Sequence, residues 1–317
     1  MSRYVLRRLG AAAVTLWLTT LAVFLIVQAV PGDIVAQMLG QAVAGGGASE
    51  QALRHFFGLD QPLYTQYLGW LVGVVKGDFG QSWTQGAPVL ALVADAFLVT
   101  LELGLLTLIV ATLVGVPLGL IAGRYRGRWP DRLVQAVNLL GLSAPVFWVG
   151  LMLLVGASVA NGWGPPVFYL SPAESLADNL AIMALPVASL GVLQAAAYAQ
   201  FVRENAVAIA GEDFVRTARA KGLREGRVFG RHVLRNLMIP LVTFMGLSRV
   251  QILGGVVVID SVFALPGLGR LLLSALQARD YPVVQGGLLF IAAVTILVNF
   301  AIDLLYRWID PRLRRSP

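Results

Sequence analysis

The chain has 317 residues, 57% hydrophobic and only 13% charged, where ordinary soluble domains carry about 25% charged residues. Its formal net charge of +7 would fit a nucleic-acid binder only with the basic residues on one soluble face. They lie instead between long apolar blocks, so no nucleic-acid partner is expected. Cysteine is absent, which excludes disulfides, thiolate metal sites and cysteine nucleophiles.

Arg3, Arg7 and Arg8 precede an apolar run from Leu9 to Val30. The run exceeds a signal-peptide core of about 7–15 residues and ends in Pro31-Gly32-Asp33, without a small-residue cleavage site. It therefore reads as a retained first spanning helix. Five further segments reach the ~20 apolar residues that a span requires: 97–121, 133–159, 180–202, 238–260 and 283–306. The first of these holds Gly115 and Pro117, which a spanning helix tolerates where neighbours satisfy the freed backbone groups. The expected fold class is all-α, a polytopic membrane protein of about six transmembrane helices. Residues 1–96 are expected to form the first helix and a long loop, and residues 97–317 the core transmembrane domain with a second large loop at about 203–237.

Basic residues orient the spans, since they collect on the cytoplasmic side. With the N-terminus inside, only Arg54, Lys76, Arg270 and Arg279 fall outside, and Arg249 falls within a span. The other nineteen, grouped around 3–8, 124–132, 203–235 and 307–315, all fall inside. Both termini are then cytoplasmic.

The outer loop, about 31–96, contains Gly45-Gly46-Gly47 and two short amphipathic segments. Ser49 reads as the N-cap of the first, with Glu50 in its first turn. Pro62 suits the first turn of the second, whose Leu63, Tyr67, Trp70, Leu71 and Val74 recur at helical spacing. That helix is too short to span and is expected at the outer interface, where Trp and Tyr are favoured. The inner loop, about 203–237, reads as helix, a break at Gly222, then helix.

Little in the chain points to bond chemistry. A phosphate-binding loop ends in Gly-Lys-Ser/Thr, but Lys76 follows Val75 and Lys221 follows Ala220. His55 and His232 fall on opposite sides of the membrane, so a two-histidine metal site or triad is not expected. Ser143, in Gly141-Leu142-Ser143-Ala144-Pro145, lacks the second glycine of a nucleophile elbow. A membrane-embedded enzyme is thereby disfavoured, and transport remains.

The inner loop runs Glu212-Asp213-Phe214-Val215-Arg216-Thr217-Ala218-Arg219-Ala220-Lys221-Gly222-Leu223-Arg224-Glu225. Acidic residues open a short helix and basic ones follow, as the helix dipole prefers. Gly222 supplies a break that other residues resist. Two readings follow from the residues alone. The helix docks into a partner's groove, or its arginines hold an amphipathic loop to lipid headgroups.

The stretch Thr217-Ala218-Arg219-Ala220-Lys221-Gly222, followed by His232, Asn236 and Pro240, resembles the coupling loop of ABC-type importer permeases, closest to the dipeptide, oligopeptide and nickel group. The same group is resembled, in order, by Phe57-Gly58-Leu59-Asp60-Gln61-Pro62-Leu63-Tyr64 with Gln66-Tyr67, and by Gly77-Asp78-Phe79-Gly80. Thr100-Leu101-Glu102-Leu103, Pro266-Gly267-Leu268-Gly269, Arg279-Asp280-Tyr281-Pro282-Val283-Val284-Gln285 and Asp310-Pro311-Arg312 continue it. The general importer motif begins Glu-Ala-Ala, where this chain has Arg216, Thr217 and Ala218. Its glycine-to-proline spacing, Gly222 to Pro240, is also longer, and both departures are typical of the peptide and nickel branch.

The resemblance implies a type I ABC importer permease fold in a bacterial inner membrane. It implies a second homologous permease subunit, two cytoplasmic ATPase subunits that bind the ATP and Mg, and an extracytoplasmic solute-binding protein. No cofactor is expected in this chain. Energy would enter through Asp213, Phe214, Arg216, Thr217, Ala218, Arg219, Ala220, Lys221 and Gly222. Short peptides are the first substrate expectation, and nickel, free or chelated, is the alternative.

Ionisable residues within spans are costly and are candidates for the translocation path. Arg249 lies mid-span, Glu102 inside the outer end of the second span, and Asp260 at the outer end of the fifth. Arg249 could meet a peptide carboxylate or form a structural ion pair, with Glu102 or with an acid of the other permease chain. Asp303, near the inner end of the last span, reads as a snorkelling or capping residue. Gly246, Gly254 and Gly255 would allow close helix approach around Arg249. The rival class is an ATP-independent secondary transporter. It would be expected to show inverted repeats or paired intramembrane acids, neither of which is evident.

Overall fold

A computed structural model describes the backbone of residues 2–29, 35, 47–162, 164 and 168–309. Side chains at 2–7, 47–49, 161, 247, 249–253 and 301–309 fall outside the description, among them those of Arg249 and Asp303. Asp310-Pro311-Arg312 and Gly45-Gly46 lie outside the described residues altogether.

The described elements are helical, apart from an isolated bridge between Gln81 and Pro88. In chain order they are α1 (Ser2–Ala29), α2 (Gly47–Phe56), α3 (Leu63–Val75), α4 (Val89–Arg124), α5 (Trp129–Ser143) and α6 (Val146–Asn161). There follow α7 (Leu176–Ala210), α8 (Asp213–Ala220), a short turn and π-helix over Glu225–Arg227 and Val228–Val233, α9 (Leu234–Val262), α10 (Leu268–Gln277) and α11 (Tyr281–Ile309). Two compact units result, Met1–Phe97 with Leu271–Pro317, and Leu98–Arg270.

Segments of α1 and α11, together with α4 and α7, are long and apolar enough to cross a membrane. The pair α5–α6 makes a fifth crossing if counted as one span. The expected sixth, 238–260, falls on α9, a 29-residue helix whose central side chains are outside the description. One expected span needs correction. Residues 133–159 do not form one continuous helix, because α5 and α6 meet at 103°. The cause is local: Pro145 clashes with a helical residue before it, so Ala144 is extended at ψ 131°.

In the first unit, α1 packs on α11 and also meets α3. Thr20 Oγ1 and Tyr67 Oη lie 2.9 Å apart, Gln28 Nε2 donates to Gln66 Oε1 at 3.1 Å, and the Phe24 and Tyr67 rings meet edge-on at 5.4 Å. Helix α2 begins at Gly47, so Ser49 sits in its first turn and not at the N-cap. Pro62, at φ −58° and ψ 143°, occupies the N-cap of α3 and not its first turn. Asp280, 1% exposed at the head of α11, organises the 82–84 segment. Its carboxylate accepts from Ser82 Oγ (2.5 Å), Trp83 N (3.1 Å), Thr84 N (3.1 Å) and Thr84 Oγ1 (2.7 Å).

In the second unit α7 is the central helix, packing against α5, α6 and α9. It also forms a seam with α4 at Gly115, Gly119 and Gly123. A Cβ at Gly115 would lie 2.5 Å from the Ala195 carbonyl oxygen, and one at Gly119 2.5 Å from that of Ala199. Small residues four apart thus bring two spans almost to backbone contact, the packing that drives helix association in lipid. Beyond the seam, Phe201 and Phe244 stack at 4.1 Å, and Tyr198 Oη lies 3.1 Å from Ser248 Oγ.

Candidate functional site

Helix α8 carries the residues expected to couple to a partner. Glu212 is its N-cap, Asp213 lies in its first turn and Arg219 in its last, in keeping with the helix dipole. Val215 and Ala218 are buried, and that face rests on the π-helical segment and the end of α7. Asp213, Phe214, Arg216, Thr217, Arg219, Ala220 and Lys221 are exposed, Phe214 at 44%.

Two devices hold the short helix in place. Arg219 donates through Nη1 to the Ala210 carbonyl at 3.0 Å, and through Nε to Glu225 at 2.7 Å. This ties α8 both to the end of α7 and to the turn that follows. Gly222 closes the helix at φ +79°, with Gly222 N bonding Arg219 O (2.9 Å) and Leu223 N bonding Ala218 O (3.3 Å). That geometry is a glycine C-terminal cap in the left-handed region. The chain then passes through the π-helix, with Val228 and Val233 fully buried, into α9. Asn236 Nδ2 donates to the His232 carbonyl at 2.7 Å, and Pro240 lies inside α9. The sequence indicated the break at Gly222. It did not indicate the π-turn, since nothing in Val228-Phe229-Gly230-Arg231-His232-Val233 separates π from α hydrogen bonding.

Two of the three expected path residues are described, and they have different partners. Glu102 accepts a hydrogen bond from Tyr169 Oη at 2.6 Å through Oε2, while its Oε1 is buried without a partner. Burial, then the adjoining Glu102 carboxylate, raises the Tyr169 hydroxyl above its ordinary pKa. Asp260 is fully buried at the end of α9, and its Oδ2 accepts from Gly269 N (3.2 Å) and Thr100 Oγ1 (3.4 Å). Thr100 Oγ1 in turn accepts from Leu268 N at 2.9 Å, so the two side chains together cap α10. A Cβ at Gly267 would lie 2.1 Å from Asp260 Oδ2, which accounts for a glycine there. The Arg249 side chain lies outside the described residues.

Sequence reading missed one charged pair near α8. Asp131, 1% exposed, accepts from Arg203 Nε at 2.5 Å and Nη2 at 3.0 Å, and from Gly127 N at 2.8 Å and Gln135 Nε2 at 2.9 Å. The two-pronged pair fastens the head of α5 to α7. An acid in the first turn of α5 with a glutamine four residues on was the available signal. The partner 72 residues away was not legible.

Comparison with known proteins gives this arrangement a family. Residues 115–315 match the model of the binding-protein-dependent transport system inner membrane component, and residues 1–104 match the N-terminal model of such membrane components. The glutathione transport system permease protein GsiC of Escherichia coli strain K12 is 40% identical over 317 residues, covering 99% of both chains. The dipeptide transport system permease protein DppB of the same strain is 39% identical over 339 residues, covering all of both. Among solved structures, the inward-facing MetNI methionine ABC transporter matches at a TM-score of 0.56 and 19% identity, over 70% of this chain and 97% of that one. An amino acid ABC transporter with histidines matches at 0.53 and 17%, over 68% and 94%. At such identities these two structures speak for the fold alone. By the family models and the full-length relatives, the chain belongs to the binding-protein-dependent transport system inner membrane components, the permeases of ABC importers.

Proposed function

We propose that this permease forms half of the translocation path for short peptides and takes its driving force through α8. The observation that carries the reading is the mounting of α8. One face, Val215 and Ala218, is buried in the chain, and the other presents Phe214, Arg216, Thr217, Ala220 and Lys221 uncovered. A short helix fixed at both ends transmits displacement instead of absorbing it. An exposed aromatic between charged residues suits a groove on a partner.

In this reading the partners are a second homologous permease, two cytoplasmic ATPases that hold ATP and Mg, and an extracytoplasmic binding protein that delivers the peptide. The chain's own role is non-catalytic, and both termini and α8 face the cytoplasm. Closure of the ATPase pair moves α8, and the Arg219 links and the π-turn pass that motion to α7 and α9. The named substrates of the relatives, a dipeptide and glutathione, support a short peptide. Asp260 serves to cap α10, and Glu102 with Tyr169 is the better candidate for a polar group on the path.

The test is ATPase activity of the reconstituted complex with binding protein and a mixed dipeptide pool. Wild type is expected to be stimulated. Gly222→Pro is expected to assemble and lose the stimulation, because proline cannot adopt φ +79°. Stimulation that survives this change would refute the role of α8.

A further inference from the structure

We propose that the cleft between α5 and α7 is a substrate site that receives the free amino terminus of a short peptide, an inference that rests on the peptide reading above. The cleft has a volume of about 370 Å³, within the range of small-molecule sites. Its polar lining is Gln135 and Asn138 from α5 and Gln200, Arg203 and Glu204 from α7, on an apolar background that includes Leu139 and Leu142.

Two features mark it as a built site. Asn138 is only 6% exposed yet makes no hydrogen bond among the described residues, and its amide is reached from the cleft. The amide faces the cleft without a protein partner, so a ligand or water there can complete its hydrogen bonds. The charges in the cleft are also unequal. Asp131 already neutralises Arg203, whereas Glu204 accepts only from Gln200 Nε2 at 3.1 Å and has no cation within ion-pair distance among the described residues. The cleft therefore offers one exposed carboxylate without an ion-pair partner, within the field of the neighbouring Arg203, beside several amides.

The chemistry selects the ligand. Glu204 takes a primary ammonium, Asn138 and Gln200 take the adjoining peptide group, and Leu139 and Leu142 pack against an apolar side chain. Glu204 lies on the last turns of α7, close to the α7–α8 junction that Arg219 holds. Occupancy is thus placed next to the element that receives the ATPase stroke.

The test is direct binding of labelled Ala-Phe and N-acetyl-Ala-Phe to the whole importer complex in nanodiscs, without binding protein. Wild type is expected to bind Ala-Phe saturably and the acetylated peptide about tenfold or more weakly, as for loss of a charge-assisted hydrogen bond. Glu204→Gln should lower Ala-Phe affinity by about the same factor, and Glu204→Asp should retain most of it. Asn138→Leu should weaken both peptides about equally. Size-exclusion profiles confirm assembly of each variant.

Absence of Ala-Phe binding to the assembled wild type would overturn the proposal. So would equal binding of the acetylated peptide, or an unaffected Glu204→Gln. Phosphatidylethanolamine carries the same ammonium, so the series is run with and without that lipid. Dependence on Glu204 that vanishes in its absence would assign the cleft to a lipid headgroup and overturn the peptide site. Binding-protein-stimulated ATPase in the wild type tests the importer reading separately, so failure of one is distinguishable from failure of the other.

Discussion

Asp131 and Arg203 show how a buried charge becomes affordable in this fold. Alone, the Asp131 carboxylate would carry a desolvation penalty of several kcal/mol, and the two-pronged guanidinium with two further donors offsets it. Arg203→Ala should therefore cost about 3 kcal/mol, toward the low end for buried pairs because Arg203 is itself 21% exposed. A double change to Asp131→Leu with Arg203→Met should cost less than either single change, as seen by thermal unfolding of the purified protein. Additive losses would mean that the residues act separately. At the C-terminal end of α2, the His55 and Asp60 side chains lie 2.7 Å apart. The hydrogen bond to Asp60 raises the His55 pKa, and the bond to His55 lowers that of Asp60. The His55 contribution is full below its ordinary 6.5 and is lost as pH rises through the raised folded value. That of Asp60 is full above 3.8 and is lost as pH falls through the depressed value. Ring-proton NMR of His55 should show its midpoint moving down in Asp60→Asn, and an unmoved midpoint would refute the pairing. At this scale sequence legibility was uneven. The acid-to-base order of Asp213 and Arg219 along the helix and the break at Gly222 could be read, because both depend on residues within the helix itself. Asp280 could not be assigned to its loop, because its partners are about 197 residues away along the chain.

At the scale of elements, spacing rules carried most of the information. Apolar runs located α1, α4, α7 and α11, since a span is a composition signal. The bend at Ala144–Pro145 was also present in the sequence, but the apolar run continued through it and masked the break. The Gly115, Gly119 and Gly123 seam had the four-residue spacing of a tight helix pair, yet the facing helix could be identified only in the fold. The seam makes a sharp prediction. Gly119→Ala places a methyl 2.5 Å from a backbone oxygen, which cannot yield as a flexible side chain does. It should destabilise by about 1–3 kcal/mol, as overpacking generally does. Gly10→Ala, with open space at its Cβ, should be near neutral. Thermal aggregation of the two variants in one detergent compares them directly, and equal midpoints would argue against the close seam. Gly222→Ala is milder than proline at the same position. It should strain the cap of α8 by about 1–2 kcal/mol and reduce the coupled ATPase rate without preventing assembly.

For the molecule as a whole, the two units divide the work unevenly. The unit Leu98–Arg270 contains α8, the α4–α7 seam and the α5–α7 cleft, so the proposed power input and the proposed ligand site share one body. The other unit joins the N-terminal region to α11, although their sequences lie at opposite ends of the chain. The grouping of 271–317 with the N-terminal region was not readable from composition. The central claim is that peptide movement through this chain is driven by a partner's ATP hydrolysis acting on α8. The most direct measurement is uptake of labelled Ala-Phe into proteoliposomes containing the full importer, with binding protein outside and ATP inside. The account predicts uptake that requires both ATP and binding protein, and that Gly222→Pro abolishes while the complex remains assembled. Uptake that proceeds without ATP, or at an undiminished rate in the Gly222→Pro complex, would contradict it.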